Sequence, residues 1–408
     1  MALAMLMGCV CASTGAQGVT TLNRTGSGAR AAGMANAFVA VSDDGTAASW
    51  NPAGLAQLRM PELSLVSSAV DRRFSMEGYR SLDGQFVYTP RRFAFTYASP
   101  EFASAAVPFT VAGKPITLQF GWRRLYQLAA KADVEYQKER APGDGVPLLR
   151  LRQDLDSDGS VNILSLAGAL RLTERLSAGA SLDFWRGDWT DETVILEEHP
   201  GGATDFASIA TSHRVRGHNL NGGLLFTYPR VKVGLVYHRP VDMSYRRGAT
   251  IQSSVAPRVE ADADDARFHF PRSWGAGVAW RPAARWTLAA DVTHDRWSDF
   301  TVAGLPEHPE PANFFDGESP DRTSTRDTVS LNAGVERLLQ GSGFVVPLRL
   351  GLAWEPQGFM DPLLRDPVDY VMLAAGTGYN TNSFKFDMAF QLRWTRNRSS
   401  ETASVLSL

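Results

Sequence analysis

From about residue 61 onward, apolar and polar residues alternate with a period of two. Leu176, Ala178, Ala180, Leu182 and Phe184 hold one set of positions, and Ser177, Gly179, Ser181 and Asp183 hold the other. Successive side chains of a strand point to opposite faces, so such a run is a strand with one apolar face and one small or polar face. Trp286, Leu288, Ala290 and Val292 repeat the pattern against Thr287, Ala289, Asp291 and Thr293. Phe384, Phe386, Met388, Phe390, Leu392 and Trp394 repeat it against Lys385, Asp387, Gln391 and Arg393. A helix would need apolar recurrence at three and four residues, which these runs lack. The pattern predicts strands near 61–73, 91–100, 115–137, 160–173, 175–190, 212–228, 230–247, 266–282, 284–303, 323–339, 345–358, 369–380 and 382–396.

A soluble sandwich also alternates, so the period alone does not decide the solvent. Three features favour a barrel in lipid. The polar face carries charges of both signs with many glycines, as a filled or watery lumen requires. Aromatic residues fall near strand ends (Trp122, Tyr126, Tyr228, Tyr237, Trp286 and Trp394), where interfacial girdles belong. Short connections such as 173–175, 228–230 and 281–285 alternate with long polar stretches near 138–160, 190–212, 247–266 and 303–323, the short-turn and long-loop rims of an outer-membrane barrel. Thirteen strands leave one missing, because such barrels have an even number. The stretch from Ser399 to Leu408 is therefore expected to be a short last strand, unless the sequence stops early.

Composition narrows the function. The 41 basic and 43 acidic residues give a net charge of -2, without the basic surplus that nucleic acid would demand. The two cysteines, Cys9 and Cys11, lie in the first dozen residues, so the main body has neither a disulfide scaffold nor a cysteine-built zinc site. No apolar run beyond residue 12 reaches the roughly 18 residues of a membrane helix. The apolar segment 1–12, followed by Ser13, Thr14, Gly15 and Ala16, reads as a secretory signal cut after Ala16; the run Leu6-Met7-Gly8-Cys9 offers lipidation as the rival. The expected division is 1–16 signal peptide, 17–58 N-terminal plug and 59–408 barrel.

Residues 19–58 differ from the rest. They are rich in alanine and glycine, with Asn51-Pro52 as a breaker, and they predict short helices and tight turns. So short a segment cannot bury a core alone, and a barrel of about fourteen strands has a lumen wide enough to need a plug. Two stretches, 28–44 and 47–54, resemble the hatch of the FadL/TodX family of outer-membrane transporters for long-chain fatty acids and other hydrophobic compounds. The hatch motif falls on Asn51, Pro52, Ala53 and Gly54, and the stretches 164–179, 270–282 and 347–354 resemble the family as well. The resemblance implies an all-β fold, a transmembrane antiparallel β-barrel of about 14 strands with an N-terminal hatch, in the bacterial outer membrane. It implies passive uptake of a hydrophobic small molecule by loop capture, lumenal binding and hatch-gated lateral exit, with no enzyme activity and no cofactor, in a monomer whose partner is outer-membrane lipid. A receptor or secretion component that transports nothing is the alternative. Phe38, Arg123 and Arg349 are the expected substrate contacts, the arginines because a guanidinium matches a carboxylate. The same two arginines, with Asp183, Asp291, Glu336 and Asp387, also fit a balanced network that holds the hatch.

The family's lateral exit lies at a kinked third strand. Here that strand spans about 114–136, and Pro115 and Gly121 are its candidate disruptors. The plainer alternative has Pro115 opening the strand and Gly121 packing on the hatch. Asp154, Asp156 and Asp158 have the spacing of the start of a calcium loop, but Ser165 stands where the loop's closing glutamate belongs, and no metal is expected. The seven histidines are dispersed, and neither a nucleophile-elbow nor a phosphate-loop motif occurs.

Overall fold

The computed structural model describes residues 23–76, 86–89, 91–139, 147–199, 202–360, 367–395 and 399–408. Fourteen antiparallel strands close into a barrel. In chain order they are β1 (Glu62–Met76), β2 (Arg91–Val111), β3 (Lys114–Gln127 continued by Ala130–Glu139), β4 (Pro147–Arg171), β5 (Leu176–Glu198), β6 (Thr204–Thr227) and β7 (Val231–His238 continued by Val241–Ser253). Then follow β8 (Val259–Phe270 continued by Ser273–Trp280), β9 (Trp286–Asp295), β10 (Thr328–Gln340), β11 (Val345–Met360), β12 (Pro367–Asn380), β13 (Lys385–Thr395) and β14 (Ser399–Ser407). The short last strand forms. It pairs with β1 from Val66↔Ser407 to Phe74↔Ser399, and Leu65 and Leu408 exchange both backbone hydrogen bonds, at 2.9 and 2.8 Å. Closure removes the open edge that fourteen strands would otherwise present.

The alternation has its predicted meaning. On β9, Trp286, Leu288 and Ala290 are exposed on the outer wall, while Thr287, Ala289 and Asp291 are buried inside. On β11, Leu348, Leu350 and Leu352 face outward around a buried Arg349. Tyr228, Tyr237, Trp286 and Trp394 are exposed, as a girdle requires. Tyr126 is a correction: it is buried in the lumen, because an extra residue in β3 between Arg124 and Tyr126 shifts the facing by one.

Three of the long loops are also corrected. The stretches 138–160, 190–212 and 247–266 are largely strand, since β4 begins at Pro147, β5 runs to Glu198, β6 resumes at Thr204, β7 runs to Ser253 and β8 begins at Val259. The β4–β5 ladder is unbroken from Arg171↔Ser177 to Arg150↔Glu198. At 23 and 25 residues these strands far exceed the roughly 9–11 that span a bilayer. At their outer ends the outward face is polar (Arg186, Asp188 and Glu192) while Asp191, Thr193 and Ile195 stay buried inside, so the apolar-outward alternation lapses there. The calcium reading falls with the loop: Asp154, Asp156 and Asp158 lie on extended β4, where no loop can wrap an ion. Asp154 and Asp156 are instead paired with Arg152 at 3.1 Å and Lys131 at 2.8 Å.

Candidate functional site

The hatch is built from a five-residue helix, Ala29–Gly33, and two 3-10 turns, Ala47–Ser49 and Pro52–Gln57. Asn51 caps the second turn, accepting from the Ala53 N–H at 3.1 Å, and Pro52 follows it without an N–H to leave unpaired. The Asn51 amide also donates to the Val39 carbonyl within the hatch and to the Leu224 carbonyl of β6, each at 3.1 Å. Gly54 lies so close to Ser42 that a Cβ there would stand 2.2 Å from its carbonyl oxygen. The hatch motif thus folds the segment and ties it to the wall.

The wall is cut to receive it. Gly179, Gly223, Gly234, Gly334 and Gly351 on five different strands each touch hatch atoms so closely that any side chain would clash. Polar side chains of the wall meet the hatch backbone: Asp291 accepts from the Phe38 and Val39 N–H groups at 2.5 and 2.8 Å, Asn332 donates to Ala35 at 2.8 Å, and Gln391 donates to Ala32 at 3.0 Å. Arg30 is the centre of a charged latch. It forks onto Glu336 with two hydrogen bonds of 2.9 Å and reaches Asp43 at 2.5 Å. Asp43 also faces Lys232 at 3.5 Å and Arg281 at 3.3 Å. Burial alone would raise the Asp43 carboxyl, but the cations of Arg30, Lys232 and Arg281 outweigh it and hold Asp43 well below the usual carboxylate range.

Beyond the hatch, toward the rim of long connections, the lumen is apolar. Trp185, Tyr245, Phe268 and Phe270 from the wall pack with Trp297, Phe300, Phe314 and Phe315. The last four come from the connection after β9. There the chain turns inward at Trp297–Asp299, rejoins the wall as Thr301–Ala303 against β8, and returns through Ala312–Asn313. Trp297 fills the lumen against Gly358 of β11 and donates to the Thr328 hydroxyl at 3.1 Å. Arg247–Glu307 and Arg326–Asp369 ion pairs pin the connection to neighbouring strands. From below, Arg24 of the hatch places its guanidinium 4.5 Å from the Phe270 ring centroid, and burial lowers its pKa to about 10.

The wall beside this chamber has a gap. The β2–β3 ladder runs from Val111↔Lys114 to Phe102↔Arg123 and stops. It resumes only where Phe86–Tyr88 pairs with Tyr136–Lys138, and Thr89 donates to Glu135 at 3.1 Å. Between these ends, residues 91–101 of β2 pair with β1 alone, and among the described residues nothing pairs them with β3. Bulges sit on both strands at the lower end: Glu101 is the extra residue of β2 opposite Val66 and Ser67, and Leu125 is the extra residue of β3 opposite Val161 and Asn162.

A plugged fourteen-strand barrel with this N-terminal hatch is matched, over residues 5–407, by the family model described as outer membrane protein transport protein (OMPP1/FadL/TodX). The chain belongs to this family. Similar solved structures include a Pseudomonas aeruginosa FadL homologue, at 14% identity and TM-score 0.68 over 95% of this chain and 98% of that one. The Ralstonia pickettii toluene transporter TbuX is similar at 14% identity and TM-score 0.60, over 95% and 98%. The CymD monoaromatic hydrocarbon channel follows at 18% identity and TM-score 0.58, over 94% and 97%. No curated protein sequence matches significantly. This FadL/TodX protein is an outer-membrane transporter for hydrophobic compounds, in a family of transport channels rather than enzymes.

Within this FadL/TodX barrel the expected substrate contacts are occupied otherwise. Arg349 is buried, with Glu336 at 2.8 Å and Asp387 at 2.7 Å, so its charge is already matched inside the latch. Arg123 faces Asp183 at 3.7 Å and the Ser49 carbonyl at 3.4 Å. Phe38 is fully buried against Trp50, with ring centroids 5.9 Å apart. All three serve the hatch, and the structure corrects their reading as a free cargo site. Pro115 and Gly121 are corrected too. Both sit in unbroken ladders, Pro115 opposite Thr110 and Gly121 opposite Ser104 and Ser165. The gap opens above them, at paired bulges. The aromatic chamber was not legible in the sequence because half of its residues sit on the connection after β9, and Tyr245, Phe268 and Phe270 lie next to breaks in β7 and β8 where the inward facing shifts by one.

Proposed function

We propose that this protein carries hydrophobic small molecules, long-chain fatty acids or aromatic compounds among them, passively across the outer leaflet and releases them sideways. Cargo enters past the inward-folded connection 296–327, displaces its aromatic side chains within the chamber, and leaves through the wall between β2 and β3. The interrupted β2–β3 ladder is the observation that carries this reading, because among the described residues these strands forgo hydrogen bonds that a closed barrel otherwise keeps, beside a packed aromatic cluster. Aromatic walls bind apolar cargo without selecting one shape, which suits a family whose members include a FadL homologue and toluene transporters. No energy source enters: the cargo moves down its gradient into lipid, favoured by roughly 25 cal/mol for each Å² of apolar surface removed from water.

The test closes the gap. With Cys9 and Cys11 replaced by serine, Ser99→Cys on β2 and Gln127→Cys on β3 are bridged by a cleavable bis-maleimide, and uptake of labelled fatty acid and toluene is followed in cells. Bridging is expected to stop uptake and cleavage to restore it. Unchanged uptake in the bridged protein overturns lateral release.

A further inference from the structure

At the lower end of the gap, the wall holds a cavity unlike the chamber beside it. Its volume is about 140 Å³, and Arg72, Tyr97, Ser99, Glu101 and Arg124 line it. The lining is polar in a molecule whose cargo is apolar. Apart from Arg393 Nε, which is ion-paired with Glu355 at 3.0 Å, two of its atoms are buried without a hydrogen-bond partner, Glu101 Oε2 and Arg124 Nε. Both belong to the bulged stretches: Glu101 is the inserted residue of β2, and Arg124 immediately precedes the inserted Leu125 of β3. Ser68 of β1 lines the cavity beside the Glu101 carboxylate. Arg124 has no carboxylate in ion-pair range among the described residues; its guanidinium stands 6.0 Å from the Trp122 ring centroid. A buried donor and a buried acceptor left open at one cavity are costly unless something completes them.

A hydrocarbon completes neither. A carboxylate accepts from Arg124 but repels Glu101, and an ammonium does the reverse. A hydroxyl carries one donor and two acceptor lone pairs, so it takes the Arg124 Nε–H and gives its own proton to Glu101 Oε2. We propose that this cavity is a subsite for the hydroxyl group of a phenol or alcohol, met as the cargo crosses the wall. The proposal rests on the lateral-release reading and adds that the exit favours hydroxylated cargo over plain hydrocarbons. The apolar body of such a molecule stays in the chamber or in the membrane while its hydroxyl turns into the cavity.

Binding to the purified, detergent-solubilised protein tests the subsite without any transport step. p-Cresol, toluene and 4-methylbenzoate share one ring and differ only in the polar group, and their affinities are compared by calorimetry. The expected order places p-cresol about tenfold ahead of the other two. Arg124→Met and, from the opposite strand, Glu101→Leu should each collapse the ratio of p-cresol to toluene affinity by about tenfold. Either variant suffices if the other fails to assemble, as judged by heat-modifiable migration of the barrel. Equal binding of p-cresol and toluene, a ratio untouched by both variants, or no binding at all means that only water fills the cavity, and overturns the proposal. Tighter binding of 4-methylbenzoate overturns it in favour of a carboxylate site. These results are independent of the bridging experiment, which reports on release alone.

Discussion

Neighbouring residues on one strand of this barrel live in different solvents. Ala290 is exposed on the outer wall, and Ala290→Arg should destabilise insertion by roughly 2–4 kcal/mol in refolding titrations if it meets mid-bilayer lipid. The alternation places Ala289 inside, and an empty lumen would accept arginine there. Ala289 packs instead in the hatch cluster with Met34, Phe38 and Val41. Ala289→Arg should therefore leave the barrel inserted and displace the hatch, seen as faster liposome swelling with small sugars; swelling equal to wild type would contradict the packing. The latch gives a second residue-scale prediction. Glu336 compensates Arg30 and Arg349 together, so Glu336→Ala leaves two buried cations short of a partner and should cost about 3–5 kcal/mol, read as hydrogen exchange through the hatch backbone. The same latch sets a pH dependence. The Asp43 pKa is lowered in the closed hatch, so its stabilisation is present above the free carboxylate value of about 3.9 and fades as pH falls below it. Asp44 is shifted the other way, raised by burial, and takes its proton first without breaking the Asp43 pairs. Hatch protection factors, which remove the intrinsic slowing of amide exchange in acid, should hold steady through mild acid and fall only below about pH 4. A fall already at pH 6 would mean that another group governs closure.

Elements were legible in the sequence wherever two different solvents met across a strand. β5, β9 and β13 separate lipid from a packed interior, and their alternation locates the start of each within three residues, although β5 runs eight residues further and β9 stops eight residues sooner than expected. At the outer ends of β4 and β5 the outward face is polar, so their charged residues read as loop although the ladder continues. β14 is polar and short, and what makes it a strand is its pairing with both β1 and β13, a long-range fact no local pattern carries. The gap was hidden for a related reason. It arises from single inserted residues, Glu101 and Leu125, whereas Pro115 and Gly121 look disruptive but cost no pairing. The hatch was legible as an element because its Asn51-Pro52 cap and small residues have no place in a membrane strand. As an element it should also be removable. Deleting residues 23–58 takes away the segment that the lumenal glycines were cleared for, and swelling with small sugars should rise several-fold while the barrel still inserts; no rise would mean that the inward-folded connection alone seals the lumen.

At the scale of the molecule, the described residues hold two stoppers and one gap, and under the proposed lateral release these give different solutes different routes. The hatch is joined to the wall by buried ion pairs and backbone hydrogen bonds around the lumen, and moving it breaks all of them together. The gap has no ladder to break among the described residues, so lateral release as proposed would take a molecule from the aromatic cluster to lipid at lower cost than to the space beneath the hatch. Hydrophobic transport should then survive a hatch that cannot leave. Gln57 of the hatch and Lys232 of β7 are hydrogen-bonded neighbours, and Gln57→Cys with Lys232→Cys, bridged by a short bis-maleimide in the background lacking Cys9 and Cys11, ties the plug in place. Uptake of toluene or labelled fatty acid should stay within twofold of the unbridged protein, while the bridge across residues 99 and 127 abolishes it. The reverse pattern, with loss on tying the hatch and persistence on closing the wall, would route the cargo straight through the lumen and leave the broken ladder without a role in transport.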